Sequence, residues 1–70
     1  MAPQTLSRGM NGSEVERLQQ DLSAKGYQLS VNGNFDEATE NAVKAFQKDH
    51  NVTVDGVVGA ETGPKLGAPA

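Results

Sequence analysis

A short internal repeat constrains the fold of this chain more than any other feature of its sequence. Residues 31–39 (VNGNFDEAT) align with residues 54–62 (VDGVVGAET), 23 positions further on. Each copy has a valine, an Asn or Asp, a glycine, an apolar residue two positions after the glycine, and a threonine. A glycine that tolerates positive φ, followed by an apolar residue and a helix start, is typical of a loop-to-helix unit. Two copies of this unit predict a domain with two pseudosymmetric halves.

The chain is long enough for only one small domain. Its 70 residues exclude two domains, an α/β barrel and a doubly wound dinucleotide-binding fold. It has no cysteine, which excludes disulfides and thiolate metal sites, and its single histidine excludes a multi-histidine zinc site. Hydrophobic residues make up 36% of the sequence. Because there is no covalent cross-link, stability must come from close packing of aliphatic faces, most easily between helices.

The charge of the chain argues against two classes of partner. Six Lys and Arg residues stand against nine Asp and Glu residues, which gives a net charge of −3 and an isoelectric point near 4.8. Nucleic-acid binding and polybasic membrane docking both need clustered positive charge. No cofactor is indicated. The first residues lack the basic and apolar regions of a signal peptide, and we expect a domain from a longer protein, with a linker or tag at 1–5, the domain at 6–66 and a linker at 67–70.

The hydrophobic periodicity predicts an all-α fold with two helices and a weaker third. We expect the first helix over about 13–25, with Ser13 and Glu16 forming a capping box and Gly26 ending it. The second should begin at Asp36 as an acidic N-cap and end near residue 49 or 50. The last should open near Gly59 and be short and irregular, because Gly63-Pro64 falls just inside it.

Seven sequence segments resemble, in order and with the same loop lengths, the peptidoglycan-binding domain found beside cell-wall hydrolases. The match runs from about Leu6 to Leu66. Its segments are LSRGMNGSEVERLQ at 6–19, Gly26-Tyr27, NGNF at 32–35, Thr39 with Ala42-Val43, Phe46-Gln47, DGVVG at 55–59, and Thr62. The Gly63-Pro64 pair departs from the family pattern, in which the last helix usually continues past the threonine.

The resemblance implies a small three-helix bundle with Gly-bearing loops and a short last helix. It implies a monomeric, non-catalytic module that binds the glycan or stem peptide of peptidoglycan. An amidase, muramidase, carboxypeptidase or similar enzyme would be attached. The expected location is the cell wall, the periplasm or the outside of the cell, or a phage lysis protein. Related copies occur in the pro-regions of some matrix metalloproteinases, so a structural or protein-interaction domain that packs on its own enzyme is the alternative.

Catalytic and calcium-binding roles fit the residues of the two loops poorly. Asp36 and Asp55 fall at different positions of the repeat, and a helix cap explains Asp36 better than acid/base chemistry does. The spacing of Asn32, Asn34 and Asp36 matches positions 1, 3 and 5 of a dockerin-like calcium loop. Glu37 stands where that loop needs glycine, and Val43 stands where it needs glutamate. We therefore expect neither an enzyme nor a metal site.

The candidate ligand-binding residues lie in the loops. Arg8 could pair with a stem-peptide carboxylate or with an acidic residue of the chain, and Tyr27 and Phe35 could stack on a sugar ring or plug the core. Gln19 and Gln47 could bind sugar hydroxyls, but we favour the interpretation that they fix the glycine turns through the loop backbone. The uncapped helix start at Gly59 suggests a groove for a carboxylate or an acetamido oxygen. Its expected lining comprises Asp55, Gly56, Val57 and Gly59, with neighbours Asn32 and Asn34 from the first copy.

Overall fold

Helices are the only regular elements in the part of the chain that the structure describes, residues 5–59 and 62–66. In this computed structural model, α1 spans Ser13–Ala24, α2 spans Glu37–Asp49 and α3 spans Thr62–Lys65. Two isolated antiparallel bridges, Leu6–Val58 and Asn11–Asn34, are the only β-type pairings in those residues. The predicted all-α class is confirmed, and both longer helices fall within two residues of their predicted bounds.

The start of α1 differs from its prediction. Gly12, with φ of 132°, occupies the N-cap position, and no side chain caps the helix. Ser13 is already the first helical residue, so the predicted capping box between Ser13 and Glu16 is wrong. The reason is a tertiary contact: the Gly12 N–H donates to the Gly33 carbonyl at 2.9 Å, while the Gly12 carbonyl accepts the Glu16 N–H at 3.1 Å. Because of this pairing, the backbone turns into α1 at Gly12.

Both longer helices end in the same way. Gly26, with φ of 98°, follows α1, and the Tyr27 N–H bonds back to the Leu22 carbonyl at 3.1 Å. After α2, Asn51 adopts φ of 56°, and the Val52 N–H bonds back to the Gln47 carbonyl at 3.0 Å. A left-handed residue after the helix satisfies its last carbonyls, and Asn is the residue that most readily replaces Gly there. The predicted stop at Gly26 is confirmed.

The start of α2 also follows its prediction. Asp36 is the N-cap, and its Oδ1 atom accepts the Thr39 N–H at 3.0 Å and the Thr39 hydroxyl at 3.1 Å. In contrast, α3 is a single turn, closed by the Leu66 N–H on the Thr62 carbonyl at 3.1 Å. Pro64 lies in the first turn of α3. Because backbone N–H groups in a first turn have no intrahelical acceptor, proline loses no helix hydrogen bond there. The predicted opening of this helix falls partly on residues 60–61, which lie outside the described residues.

The core forms where the apolar stripes of α1 and α2 meet the apolar residue of each repeat copy. Leu22, Val43 and Phe46 are completely buried. The Tyr27 ring packs edge-on against Phe46, with ring centroids 6.0 Å apart. The full set of buried hydrophobic residues in the described part is Leu6, Val15, Leu18, Leu22, Phe35, Ala42, Val43, Phe46, Val58 and Leu66. The two repeat loops are therefore anchored in one core.

Candidate functional site

Gln19 holds the first repeat loop, loop 1 (residues 32–35). Its side chain is fully buried, and its Oε1 atom accepts the N–H groups of Asn32 and Gly33 at 2.9 and 2.8 Å. Its Nε2 atom lies within 3.0 Å of three oxygens, which belong to the Asn32 side chain, the Asn34 carbonyl and the Thr39 hydroxyl. A single amide from α1 thus fixes the glycine turn and joins it to α2.

Gln47 does the same for the second repeat loop, loop 2 (residues 55–58). Its Oε1 atom accepts the N–H groups of Asp55 and Gly56 at 3.1 and 3.0 Å. Its Nε2 atom donates to the Asp55 side chain, the Val57 carbonyl and the Thr62 hydroxyl, at 2.9 to 3.0 Å. The interpretation of both glutamines as residues that fix the glycine turns is confirmed.

Each loop is closed by the side chain before its glycine. Asn32 Oδ1 accepts the Asn34 N–H, and Asp55 Oδ1 accepts the Val57 N–H, both at 3.0 Å. The Val57 bond, followed by the bond from Gln47, lowers the pKa of Asp55 below its usual range. These oxygens therefore take part in closing the turns. Among residues 5–59 and 62–66, no group of three or more His, Cys, Asp or Glu side chains could hold a metal ion.

The segment that precedes α1 crosses both loops. Leu6 exchanges two backbone hydrogen bonds with Val58 in loop 2, at 2.9 and 2.8 Å. A turn closed by the Met10 N–H on the Ser7 carbonyl then redirects the chain. Beyond it, the Met10 carbonyl accepts the Phe35 N–H of loop 1 at 2.9 Å. The segment from Leu6 to Met10 therefore ties the two halves of the repeat together.

Charged side chains cover the glycine of loop 2. Gly56 is buried with φ of 74°, and a Cβ atom placed on it would lie 3.0 Å from Glu40 Cγ and 3.1 Å from Lys44 Cε. Glu40 also receives the Arg8 guanidinium at 3.5 Å. The structure thus places Arg8 against Glu40, and Glu40 lies beside Gly56. Sequence reasoning missed Glu40 and Lys44, although their i, i+4 spacing on a helix marks them as neighbours.

The two aromatic residues predicted as ligand contacts, Tyr27 and Phe35, do not lie on the surface around Arg8. The Tyr27 hydroxyl donates to Asp49 Oδ2 at 2.6 Å, at the end of α2. Asp49 is nine residues from Glu40, or about 13 Å along a helix, so Tyr27 is not part of the Arg8 surface. The Asp49 hydrogen bond, with smaller contributions from burial and charge, raises the pKa of Tyr27. Of the two alternatives for Phe35, the structure supports the core plug and not the stacking role, because Phe35 is only 2% exposed and forms part of the core.

The remaining predicted site residues lie on or beside the loops. The side chains of Asn32, Asn34 and Asp55 are exposed, while Val57 and Gly59 are half-buried. Gly59 is not helical itself, and residues 60–61, on which the helix start expected there also depends, lie outside the described residues. The exposed atoms of both loops could contact a ligand through hydrogen bonds.

Comparison with known families agrees with this architecture. The model of the peptidoglycan binding domain family matches residues 11–66, which include both glutamines and both loops. This chain belongs to the peptidoglycan binding domain family. The match extends through α3, so the Gly63-Pro64 departure does not take the chain out of the family.

Relatives of this peptidoglycan binding domain include an amidase and a carboxypeptidase. It is 39% identical to the N-acetylmuramoyl-L-alanine amidase CwlL of Bacillus licheniformis over 66 residues, which are 90% of this chain but 18% of the amidase. It is 37% identical to the zinc D-Ala-D-Ala carboxypeptidase of Streptomyces albus G, of which it spans 26%. The domain therefore spans about a fifth to a quarter of the length of these relatives.

Solved structures share the fold. The SleB N-terminal domain superposes with a TM-score of 0.86 at 38% identity, and the match covers 90% of this chain and 88% of that one. A Burkholderia AP3 phage endolysin superposes with a TM-score of 0.89 at 38% identity, covering 93% of this chain and 25% of the endolysin. In the described residues of this peptidoglycan binding domain, no helix has the length and apolar character needed to cross a membrane.

Proposed function

We propose that this chain is a non-catalytic module that binds peptidoglycan and keeps an attached wall hydrolase on the bacterial wall. The observation that carries the proposal is the family match over residues 11–66, together with the near-complete likeness to the SleB N-terminal domain. The named relatives add support, because an amidase and a phage endolysin each contain a region like this chain within a much longer protein.

The proposed ligand surface follows the two loops and the segment that crosses them. Exposed polar groups of loop 1 and loop 2 would bind hydroxyl and acetamido groups, and Arg8 would bind a carboxylate. Tyr27, at the end of α2, would form a separate contact. The full proposed set is Arg8, Tyr27, Asn32, Asn34, Asp55, Gly56, Val57 and Gly59. A net charge of −3 favours short-range hydrogen bonding over long-range attraction to an anionic wall.

The module would act as a monomer, with α3 beginning the third helix of a small bundle. It would work outside the cytoplasm, at the wall, as part of a secreted enzyme or a phage lysis protein. Weak binding by the module would gain from the tethered enzyme, because linking two binding units raises their effective concentration.

Cosedimentation tests the proposed function directly. The folded domain is mixed with purified peptidoglycan free of teichoic acid, at low and high salt, and with chitin as a matched insoluble polymer. We expect the domain to pellet with peptidoglycan at both salt concentrations and to stay in solution with chitin. A folded domain that pellets with neither polymer would contradict the proposal and favour a scaffold or pro-region role.

A further inference from the structure

The two repeat loops differ at one backbone atom. In loop 1, the Gly33 carbonyl accepts the Gly12 N–H at 2.9 Å. The equivalent atom of loop 2 is the Gly56 carbonyl, and none of the described residues donates a hydrogen bond to it. All the other bonds that fix loop 1 through its glutamine have a counterpart in loop 2, so this difference is specific to the edge of the loop.

The path of the preceding segment explains the difference. Leu6 pairs with Val58 through two hydrogen bonds, and antiparallel pairing would next bring the Arg8 N–H to the Gly56 carbonyl. Instead, the chain turns between Ser7 and Met10, with Gly9 at φ of 97°. The same segment therefore continues its pairing on loop 1 and stops after one residue on loop 2.

Side chains take the place of backbone over loop 2. A Cβ atom placed on Gly33 would lie nearest to the Gly12 carbonyl oxygen, at 3.5 Å. A Cβ atom placed on Gly56 would instead lie nearest to the flexible side chains of Glu40 and Lys44. Glu40 is held by Arg8 through a single contact at 3.5 Å, and the Arg8 side chain is 56% exposed. The Glu40 side chain is only 22% exposed. Because a single 3.5 Å contact to an exposed guanidinium is weak, Arg8 can leave Glu40 at little cost.

We propose that loop 2 recognises the peptide part of peptidoglycan by pairing with its backbone. An extended peptide would lie on loop 2 as residues 10–12 lie on loop 1, with one of its N–H groups donating to the Gly56 carbonyl. Backbone pairing of this type gives affinity, and nearby side chains give specificity. Arg8, released from Glu40, binds a carboxylate of the peptide. The segment that pairs with loop 1 has a glycine at the point of closest contact. We therefore expect the peptide residue at the same point of loop 2 to have a small side chain, such as that of alanine.

This inference rests on the proposed wall binding, and the experiment separates the two. The domain, labelled with ¹³C and ¹⁵N, is titrated with a disaccharide-tetrapeptide released from wall by a muramidase, and in parallel with the same disaccharide lacking its peptide. We expect the peptide-bearing compound to move the Gly56 carbonyl resonance downfield and to leave Gly33 unchanged, because the Gly33 carbonyl is already bonded. The peptide-free compound should leave both carbonyls unchanged.

Three variants test the charged groups. Arg8→Gln is expected to raise the Kd for the peptide-bearing compound about tenfold, because it removes a charge-assisted bond. Arg17→Gln, at an exposed arginine of α1, is the matched control and should leave the Kd unchanged. Glu40→Gln should lower the Kd about threefold, because Arg8 loses its competing carboxylate. Superimposable amide spectra of the free variants would establish that each is folded.

The outcomes are distinguishable. A domain that pellets with intact wall but shows no movement of the Gly56 carbonyl at millimolar peptide-bearing compound overturns the inference and leaves wall binding intact. Equal movement with the peptide-free disaccharide also overturns it, because recognition would then belong to the sugar. Failure to pellet with intact wall would reject the proposed function itself.

Discussion

Gln19 and Gln47 make the same set of hydrogen bonds to two loops that lie at different distances along the chain. Each side chain accepts two backbone N–H groups and places its nitrogen beside a turn side chain, a carbonyl and a threonine hydroxyl. The contacted turn residue is 13 positions from Gln19 but only 8 from Gln47. The arrangement is therefore a property of the helix, the glutamine and the repeat unit, and the connecting chain varies freely.

Replacing either glutamine should destabilise the domain. We expect Gln19→Leu and Gln47→Leu each to lower the free energy of unfolding by about 3 kcal/mol, because loop N–H groups would be left buried without a partner. Gln20→Leu, at an exposed position of α1, is the control and should change it by less than about 0.5 kcal/mol. Urea denaturation measures all three. A Gln47→Leu variant as stable as the control would contradict this account.

The two helix starts should respond differently to alanine. Asp36→Ala removes the acceptor of two hydrogen bonds from Thr39 and should lower the melting temperature by a few degrees. Ser13→Ala should leave the melting temperature unchanged or raise it slightly, because Ser13 makes no capping bond and alanine favours helix. Thermal unfolding followed by circular dichroism distinguishes the two. Equal losses would restore the capping box that the structure rejects.

Acid should weaken the domain through its two turn carboxylates. Hydrogen bonds from Thr39 and Val57 lower the pKa of Asp36 and of Asp55 in the folded chain. A group whose folded pKa lies below its unfolded value stabilises fully above the unfolded value, about 3.9, and loses this effect as the pH falls through the folded pKa. We expect the melting temperature to fall as the pH is lowered from about 5 to about 2, because such carboxylates become protonated over this range.

The Asp55→Asn variant isolates one part of this acid effect. Asparagine keeps the Oδ1 acceptor, as Asn32 does in loop 1, but does not titrate in this range. The variant should fold normally. Below about pH 4, near the usual aspartate pKa of about 3.9, its melting temperature should fall less steeply than that of the unmutated domain. An unchanged acid profile would show that Asp55 contributes nothing to it.

Gly56 should tolerate substitution poorly for two reasons that act together. Its φ of 74° is unfavourable for any residue with a Cβ atom, and that atom would displace Glu40 and Lys44. We expect Gly56→Ala to lower the free energy of unfolding by about 1–2 kcal/mol. Gly59→Ala is the control, because φ at Gly59 is not in the positive range and its Cβ would meet no atom within 4 Å. Denaturant unfolding of both variants tests the difference.

The Tyr27 hydroxyl should contribute to stability below pH 10 and lose that contribution in alkali. Its pKa is raised in the folded state by the bond to Asp49, so the stabilisation is complete below the unfolded value, about 10, and is lost as the pH rises through the folded value. Tyr27→Phe should cost about 0.5–1 kcal/mol at neutral pH. Between about pH 8 and about pH 11, the variant should lose less free energy of unfolding than the unmutated domain. Unfolding at these two pH values, which lie on either side of about pH 10, measures the difference.

Local patterns were sufficient to predict much of the framework. The apolar spacing along α1 and α2, the cap at Asp36 and the stop at Gly26 follow from interactions within one or two helical turns. The role of the two glutamines was also predictable, because a polar residue beside core positions Leu18 and Phe46 needs partners. The repeat indicated that those partners would be equivalent in both halves.

The candidate site was predicted less well because its geometry depends on which segments meet. The path of the chain from Leu6 to Gly12 could not be seen in any local pattern, yet it decides three things. It moves the α1 cap to Gly12, it pairs loop 1 more fully than loop 2, and it carries Arg8 to Glu40 beside Gly56. Likewise, core packing took Phe35 out of the candidate surface and placed Tyr27 at the other end of α2.

By itself, the sequence determined the helices, their caps at Asp36 and Gly26, and the two glutamine-held turns. These features depend on periodicity and on satisfying nearby backbone groups, which short segments specify. The tertiary structure alone decided that, among the described residues, only the glycine carbonyl of loop 1 receives a hydrogen bond, and that Glu40 and Lys44 lie beside Gly56. Pairing across the fold depends on the route of a distant segment, and a repeat in the sequence cannot show to which copy that segment donates a hydrogen bond.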